Sequence, residues 1–259
     1  MIPVFGRTNQ VVPRFWYRPE LGGASPDELA DAISGTRQPV VDFSGNQALW
    51  GHAFRGKDVR AMTTWGLDLE TANSESHASD LLGAHLIQSL SAIHRTTIDF
   101  YFLRIRRTLE EYQLIGALET LEVAKQDGLV QSICLFADGP SIAVQGVWRF
   151  HDAFEALLIR RNPTKEGEFQ GLEPLAKERR VGVLVTEGHV WPDGDLRSLS
   201  RPAWASYMKH LSLSSAALIP LQAPTDIPLL ESTSPLSEAE IRQEFMQSGE
   251  WIGENEKHG

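Results

Sequence analysis

The chain has 259 residues, 42% of them hydrophobic and 22% charged. That is ordinary for a globular protein and suits one α/β barrel of roughly 250 residues. A formal charge of −10 repels phosphate backbones and argues against nucleic-acid binding.

The single cysteine, Cys134, cannot form an internal disulfide or a cysteine-based zinc site, and its apolar neighbours mark it as core. No run approaches the roughly 18 apolar residues of a membrane span. The first residues, Met1 to Arg7, lack the charged-then-apolar order of a signal peptide. A cytoplasmic protein is expected, with no membrane partner.

Short apolar runs alternate with longer periodic segments. The first strand candidate is 15–17, Phe-Trp-Tyr. Ser25, Pro26 and Glu28 then form a helix-opening signature, with the helix continuing through Ile33 to a stop at Gly35. Strands are expected at 40–43, where the run ends in Asp42 and Phe43, and at 59–63. Leu82, His85, Leu86, Ser89 and Ile93 follow helical spacing. Residues 97–103 are β-branched and aromatic without Gly or Pro, a strong strand signal. Thr108 is expected to open a helix that Gly128 ends. Further strands are expected at 129–135, 154–159, 181–186 and 216–220. Residues 188–201, rich in Gly, Pro and Asp, are expected to form the most mobile loop. A last helix is expected at about 236–249. Strands separated by helices predict parallel βαβ units, in either a barrel or a doubly wound sheet.

Particular segments resemble the aldo-keto reductase family. Gln88-Ser89-Leu90 followed by Thr97-Ile98-Asp99-Phe100-Tyr101-Phe102 is similar to that family's S-L-x-x-L…I-D-L-Y-L stretch. Ala117-Leu118-Glu119-Thr120-Leu121 with Gly128-Leu129-Val130, and Leu172-Glu173-Pro174-Leu175-Ala176 before Val181, also fit its pattern. Phe5-Gly6-Arg7-Thr8 is similar to its opening hairpin. The resemblance implies an α/β class fold, a (β/α)₈ TIM barrel of the aldo-keto reductase kind, occupying 1–259 as one domain, with its site at the C-terminal strand ends.

The resemblance also implies where a redox site would lie. In the family, an Asp after the second strand, a Tyr nearby, a Lys after the third and a His after the fourth carry the reaction in which NADPH delivers hydride to a carbonyl. Asp42 matches the Asp. No Tyr follows it; Thr64 falls on the Lys position and Arg104 on the His position. The positions that would clamp the nicotinamide fall on Phe136, Ala137, Leu158 and Thr186 or Glu187. The late phosphate-gripping segment falls on Leu221 to Asp226, which holds no cation. A degenerate tetrad is therefore expected, and no cofactor; NADPH is disfavoured.

A different set of groups is expected in the mouth. Asp42, Arg104, Glu187 and His189 are the candidate catalytic residues. Tyr17, Arg18, Ser44, Thr64, Trp65, Arg106 and Arg160 are the candidate substrate-binding residues. Guanidinium groups bind carboxylates and phosphates in bidentate fashion, which predicts a small anionic substrate. Asp42 and Arg104 are expected to converge. Each residue has a structural alternative: Tyr17 as packing, Glu187 as a surface carboxylate, Asp42 as the ion-pair partner of an arginine. The histidines show no metal-ligand spacing, and no metal is expected. The favoured function is a non-redox enzyme of lyase, dehydratase, isomerase or cyclase type. A catalytically inactive binding or partner subunit comes second, and an NADPH-dependent carbonyl oxidoreductase with a rearranged site third. Homo-oligomer formation and a protein partner stay open.

Overall fold

Eight parallel strands close on themselves in chain order, each hydrogen-bonded to the next and the last to the first. The coordinates are a computed structural model that describes residues 2, 4–161, 171–187, 199–213, 215–237, 239–240 and 243–244, side chains 149–150 excepted. The strands are β1 (Phe15–Pro19), β2 (Val40–Asp42), β3 (Arg60–Trp65), β4 (Ile98–Ile105), β5 (Val130–Ala137), β6 (Ala156–Arg161), β7 (Gly182–Glu187) and β8 (Ala216–Leu221). After them in turn come α1 (Pro26–Ser34), α2 (Gln47–Ala53), α3 (Glu75–Ala92), α4 (Glu111–Gln126), α5 (Ser141–Phe150), α6 (Leu172–Glu178), α7 (Arg201–Leu211) and α8 (Asp226–Ser232). The choice between doubly wound sheet and barrel is thus made for the barrel.

Alternation along each strand divides the apolar residues into two cores. Trp16, Val40, Met62, Phe100, Phe102, Cys134, Leu158, Leu184 and Leu218 fill the barrel interior. Tyr17, Val41, Tyr101, Leu103, Leu135, Leu157 and Ile219 face the helices. The N-terminal end of the barrel is plugged by Phe5, whose ring lies 5.3 Å from Trp16 and 6.3 Å from Phe100. Gly6 makes that plug possible: its φ is +58° and a Cβ there would meet the Gly182 backbone nitrogen at 1.9 Å. With one end plugged, the open end is the C-terminal one, where the polar side chains gather.

Helix α1 starts as its sequence predicts, with Ser25 and Glu28 exchanging capping hydrogen bonds. Helix α4 does not. Glu110, not Thr108, is the cap, because Gln113 returns a side-chain hydrogen bond to the Glu110 amide. Helices α2, α5, α7 and α8 were not anticipated from sequence. The segment after Asp42 winds into α2, opened by Asn46 accepting from the Leu49 amide. The expected helix at 236–249 and the expected mobile loop at 188–201 lie largely outside the described residues.

Candidate functional site

The inward-facing positions nearest the C-terminal strand ends are Arg18, Asp42, Thr64, Arg104, Arg160 and Thr186, with Asp138 one residue beyond β5. They sit on an apolar floor that includes Trp16, Phe102, Phe136, Leu158 and Leu218. Their charges sort into two triads.

In the first triad, Arg18 joins two carboxylates. Its Nε donates to Asp42 Oδ2 at 3.2 Å and its Nη1 to Glu187 Oε1 at 3.3 Å. Its Nη2 donates to Thr186 Oγ1 at 3.2 Å, and that hydroxyl donates to Glu187 Oε2 at 2.9 Å. Burial alone would lower the Arg18 pKa, but Glu187 and Asp42 outweigh it and hold the guanidinium above its usual value. Asp42 is almost fully enclosed, at 3% exposure. Its Oδ1 accepts from the Ser44 amide at 2.9 Å and from the Ser44 hydroxyl. Ser44 Oγ in turn accepts from the Thr64 amide at 2.7 Å. Ser44 and Thr64 therefore position Asp42. Glu187 is the more open carboxylate, its side chain 17% exposed.

In the second triad, one carboxylate joins two arginines. Arg104 Nε donates to Asp138 Oδ2 at 2.5 Å, and Arg160 Nε donates to Asp138 Oδ1 at 2.6 Å. Both guanidiniums lean over the Phe136 ring, at 5.4 and 5.3 Å from its centroid. Such cation–π contacts hold an arginine without consuming its N–H donors. Sequence reasoning missed Asp138. The signal was there: Ser132, Cys134 and Phe136 face inward at period two, and one more step reaches Asp138.

Several expectations are corrected. Asp42 and Arg104 do not pair; Arg18 and Asp138 are their respective partners. Tyr17 faces the helical layer with Thr36 beside its hydroxyl, and burial pushes its pKa up to about 12. Trp65 also points outward, stacking on His85 at 5.2 Å and 21°. One-residue alternation explains both, since Arg18 and Thr64 already take the inward positions. Arg106 is exposed on the turn after β4. Arg161 turns away from the mouth to Glu173 of α6. His189 lies outside the described residues.

The chain's other tyrosines lie off the floor. Tyr101 is buried against His85 Nδ1 at 2.7 Å, and Tyr112 donates to the Ala72 carbonyl. Tyr207 of α7 donates to the Arg161 carbonyl at 3.2 Å. Burial, with Glu187 adding, raises its pKa.

The turn after β8 carries its own anion. Asp226 accepts from the Gln222 amide at 3.0 Å and the Ala223 amide at 3.1 Å. Arg201, stacked 4.0 Å from the Trp204 centroid, reaches across from α7 to pair with it. Sequence reading found no cation in that segment; one arrives from the preceding helix. Among the described residues no three His, Cys, Asp or Glu side chains could hold a metal ion, and no helix is long and apolar enough to cross a membrane.

No family model and no curated protein matches the sequence. Solved structures do match. The holo form of an aldo-keto reductase from Bacillus halodurans is 17% identical, covering 98% of this chain and 97% of that one, with a TM-score of 0.64. An aldo-keto reductase from Brucella melitensis is 15% identical over 93% and 97%, with a TM-score of 0.64. One from Bombyx mori, in complex with NADP, is 13% identical over 93% and 90%, with a TM-score of 0.65. Identities this low speak to architecture and leave the chemistry to the site. In fold, this chain is an aldo-keto reductase-like (β/α)₈ barrel.

Proposed function

We propose that this barrel is a non-redox enzyme of the acid–base type, acting on a small molecule whose carboxylate or phosphate is held by Arg104 and Arg160. The observation that carries the proposal is the pair of triads at the strand ends, in which guanidiniums and carboxylates interleave over an apolar floor. Arg104 and Arg160 share one carboxylate and together keep a charge of +1 for a ligand. Glu187, the more open carboxylate, is the proton carrier in this reading. Asp42 positions Arg18, whose guanidinium in turn orients the Glu187 carboxylate. Proton abstraction beside a carboxylate, followed by elimination or isomerisation, is chemistry that such a set supports.

A nicotinamide dinucleotide fits these residues poorly. Asp226 already occupies the two turn amides that an incoming phosphate would use, and its negative charge would repel one. Phe136 and Leu158 are apolar where polar clamps would be needed, and both are buried. Tyr207, the phenol that feels the Glu187 charge, has a raised pKa, the wrong direction for a proton donor. Removing a positioned general acid typically costs a factor of about 10² to 10⁴ in rate.

Solvent-deuterium exchange tests the proposal. Small carboxylates incubated with the protein in D₂O should exchange the proton next to the carboxylate in an NMR assay. Glu187→Gln should abolish exchange, and Arg160→Gln should weaken binding. Saturable quenching of tryptophan fluorescence by micromolar NADPH would overturn the proposal. A second reading is favoured by one specific feature: each ring charge already has a partner within its triad. On that reading the barrel binds its ligand without turnover, and the same assay would show binding without exchange.

A further inference from the structure

The two triads differ in sign as well as in position. Arg18, Asp42 and Glu187 come from β1, β2 and the end of β7, which lie on one side of the closed barrel with β8 between β7 and β1. Their sum is −1. Arg104, Asp138 and Arg160 come from β4, the end of β5 and β6, on the other side, and sum to +1. The outer residues extend the same division. Glu20 follows β1 and adds to the field at Arg18. Arg106 follows β4 and is exposed. Arg161, by contrast, is matched by Glu173 and adds to neither half.

We infer that the mouth is built for a zwitterion: a small molecule with a carboxylate or phosphate at one end and a protonated amine at the other. The inference rests on the proposed anion site at Arg104 and Arg160 and adds the second pole. The donor count supports the first pole. A guanidinium has five N–H donors. Arg160 commits only its Nε to Asp138, and its Nη1 and Nη2 have no acceptor among the described residues. Those two donors have the spacing that a bidentate carboxylate takes. The acceptor count supports the second. Among the described residues each Glu187 oxygen receives a single donor, from Arg18 or Thr186, so each keeps a lone pair for an ammonium. Between the poles, the floor of Phe102, Phe136 and Leu218 offers apolar contact to a methylene chain.

A purely anionic ligand with charges at both ends would place its second carboxylate against Glu187 and Glu20. A purely cationic one would place an amine against Arg104 and Arg160. The division therefore excludes both by like-charge repulsion and selects the molecule that carries one charge of each sign.

Calorimetric titration of the full chain tests this with matched sets: ω-amino acids of increasing length from β-alanine to 6-aminohexanoate, the corresponding n-alkanoates, n-alkylamines and α,ω-dicarboxylates. At the best length, the amino acid should bind at least about tenfold more tightly than the alkanoate, the value of one charge-assisted hydrogen bond. The dicarboxylate and the amine should bind more weakly still. Glu187→Gln should shrink the amino acid's advantage over the alkanoate while leaving the alkanoate's own affinity within about twofold, or higher, because only the acidic half has changed. Glu20→Gln, at a position outside the buried network, should shrink it in the same direction if the first variant folds poorly. Equal affinity of amino acid and alkanoate, or tighter binding of the dicarboxylate, would overturn the zwitterion inference while the anion site stands. No binding by any carboxylate would overturn the anion site, and the inference with it.

Discussion

Asp138 shows how much can depend on one residue. It holds two guanidiniums that would otherwise repel each other across the Phe136 ring. Replacing it with Asn removes the charge and keeps the shape. Breaking a fully buried pair costs about 3–5 kcal/mol. Both arginines here are a quarter exposed, so about 2 kcal/mol is expected for Asp138→Asn in urea unfolding. Acetate should recover part of that loss relative to chloride at equal ionic strength, by binding where the carboxylate was. The wild-type protein should show little such difference. His85 makes a second residue-scale case. Burial lowers its pKa from 6.5 to about 4, against a weaker upward pull from Asp68. The folded chain therefore takes up this proton later than the unfolded chain as pH falls. Stability from neutral His85 is complete above pH 6.5 and is lost as pH drops toward 4. The full span is worth about 3 kcal/mol. His85→Gln, which can keep a hydrogen bond to Tyr101, should lack that part of the slope, so the gap between variant and wild type should narrow on acidification.

At the level of elements, the mouth depends on turns that hold the strand ends in place. Gly139 follows Asp138, and a Cβ there would meet the Arg106 carbonyl oxygen at 1.9 Å and its carbon at 2.3 Å. Backbone, not a flexible side chain, stands in the way. Gly139→Ala should push the β5–α5 turn off the β4–α4 turn, stretch the Arg104–Asp138 contact, and cost about 1–3 kcal/mol as overpacking does. Anion affinity at Arg104 and Arg160 should fall with it, measured by the same calorimetric titration with n-alkanoates. The strand ends also explain what the sequence could and could not reveal. All eight strands were legible, because apolar and β-branched runs mark strands buried on both faces. Most of their C-terminal limits were read short: 97–103 against Ile98–Ile105, 129–135 against Val130–Ala137, 154–159 against Ala156–Arg161. The hydrophobic signal stops where the barrel interior turns polar, so the residues that build the site are the ones the pattern leaves out. The inward and outward sides were blurred for the same reason. Tyr17 beside Arg18, and Trp65 beside Thr64, cannot both face in, yet neither pair shows from sequence which member does. Helix α2 was hidden by Gly45 and Asn46, which read as loop until Asn46 is seen to be the cap. Partners across the barrel, such as Asp138 for Arg104 and Arg201 for Asp226, depend on closure and have no local signature.

The whole molecule sets the field through which any ligand approaches. Its formal charge is −10, while the ring charges of the two triads cancel. An anion therefore meets net repulsion until it reaches Arg104 and Arg160. For a sphere of about 20 Å radius, that charge repels a monovalent anion at the surface by about 2 kcal/mol without screening. Screening cuts this to about 1.2 kcal/mol at 10 mM salt and about 0.6 kcal/mol at 150 mM, as the Debye length falls from about 30 to about 8 Å. The remaining difference corresponds to about a threefold change in encounter rate. The association rate of an n-alkanoate should therefore rise about threefold over that salt range, the reverse of an attractive electrostatic encounter. A zwitterionic ω-amino acid carries no net charge, and its rate should change by less than about twofold. Stopped-flow tryptophan fluorescence can follow both, since Trp16 lies in the floor beneath the triads. If the alkanoate rate falls with salt instead, the basic half of the mouth governs the approach, and the ligand enters along the β4–β6 side rather than through the average field.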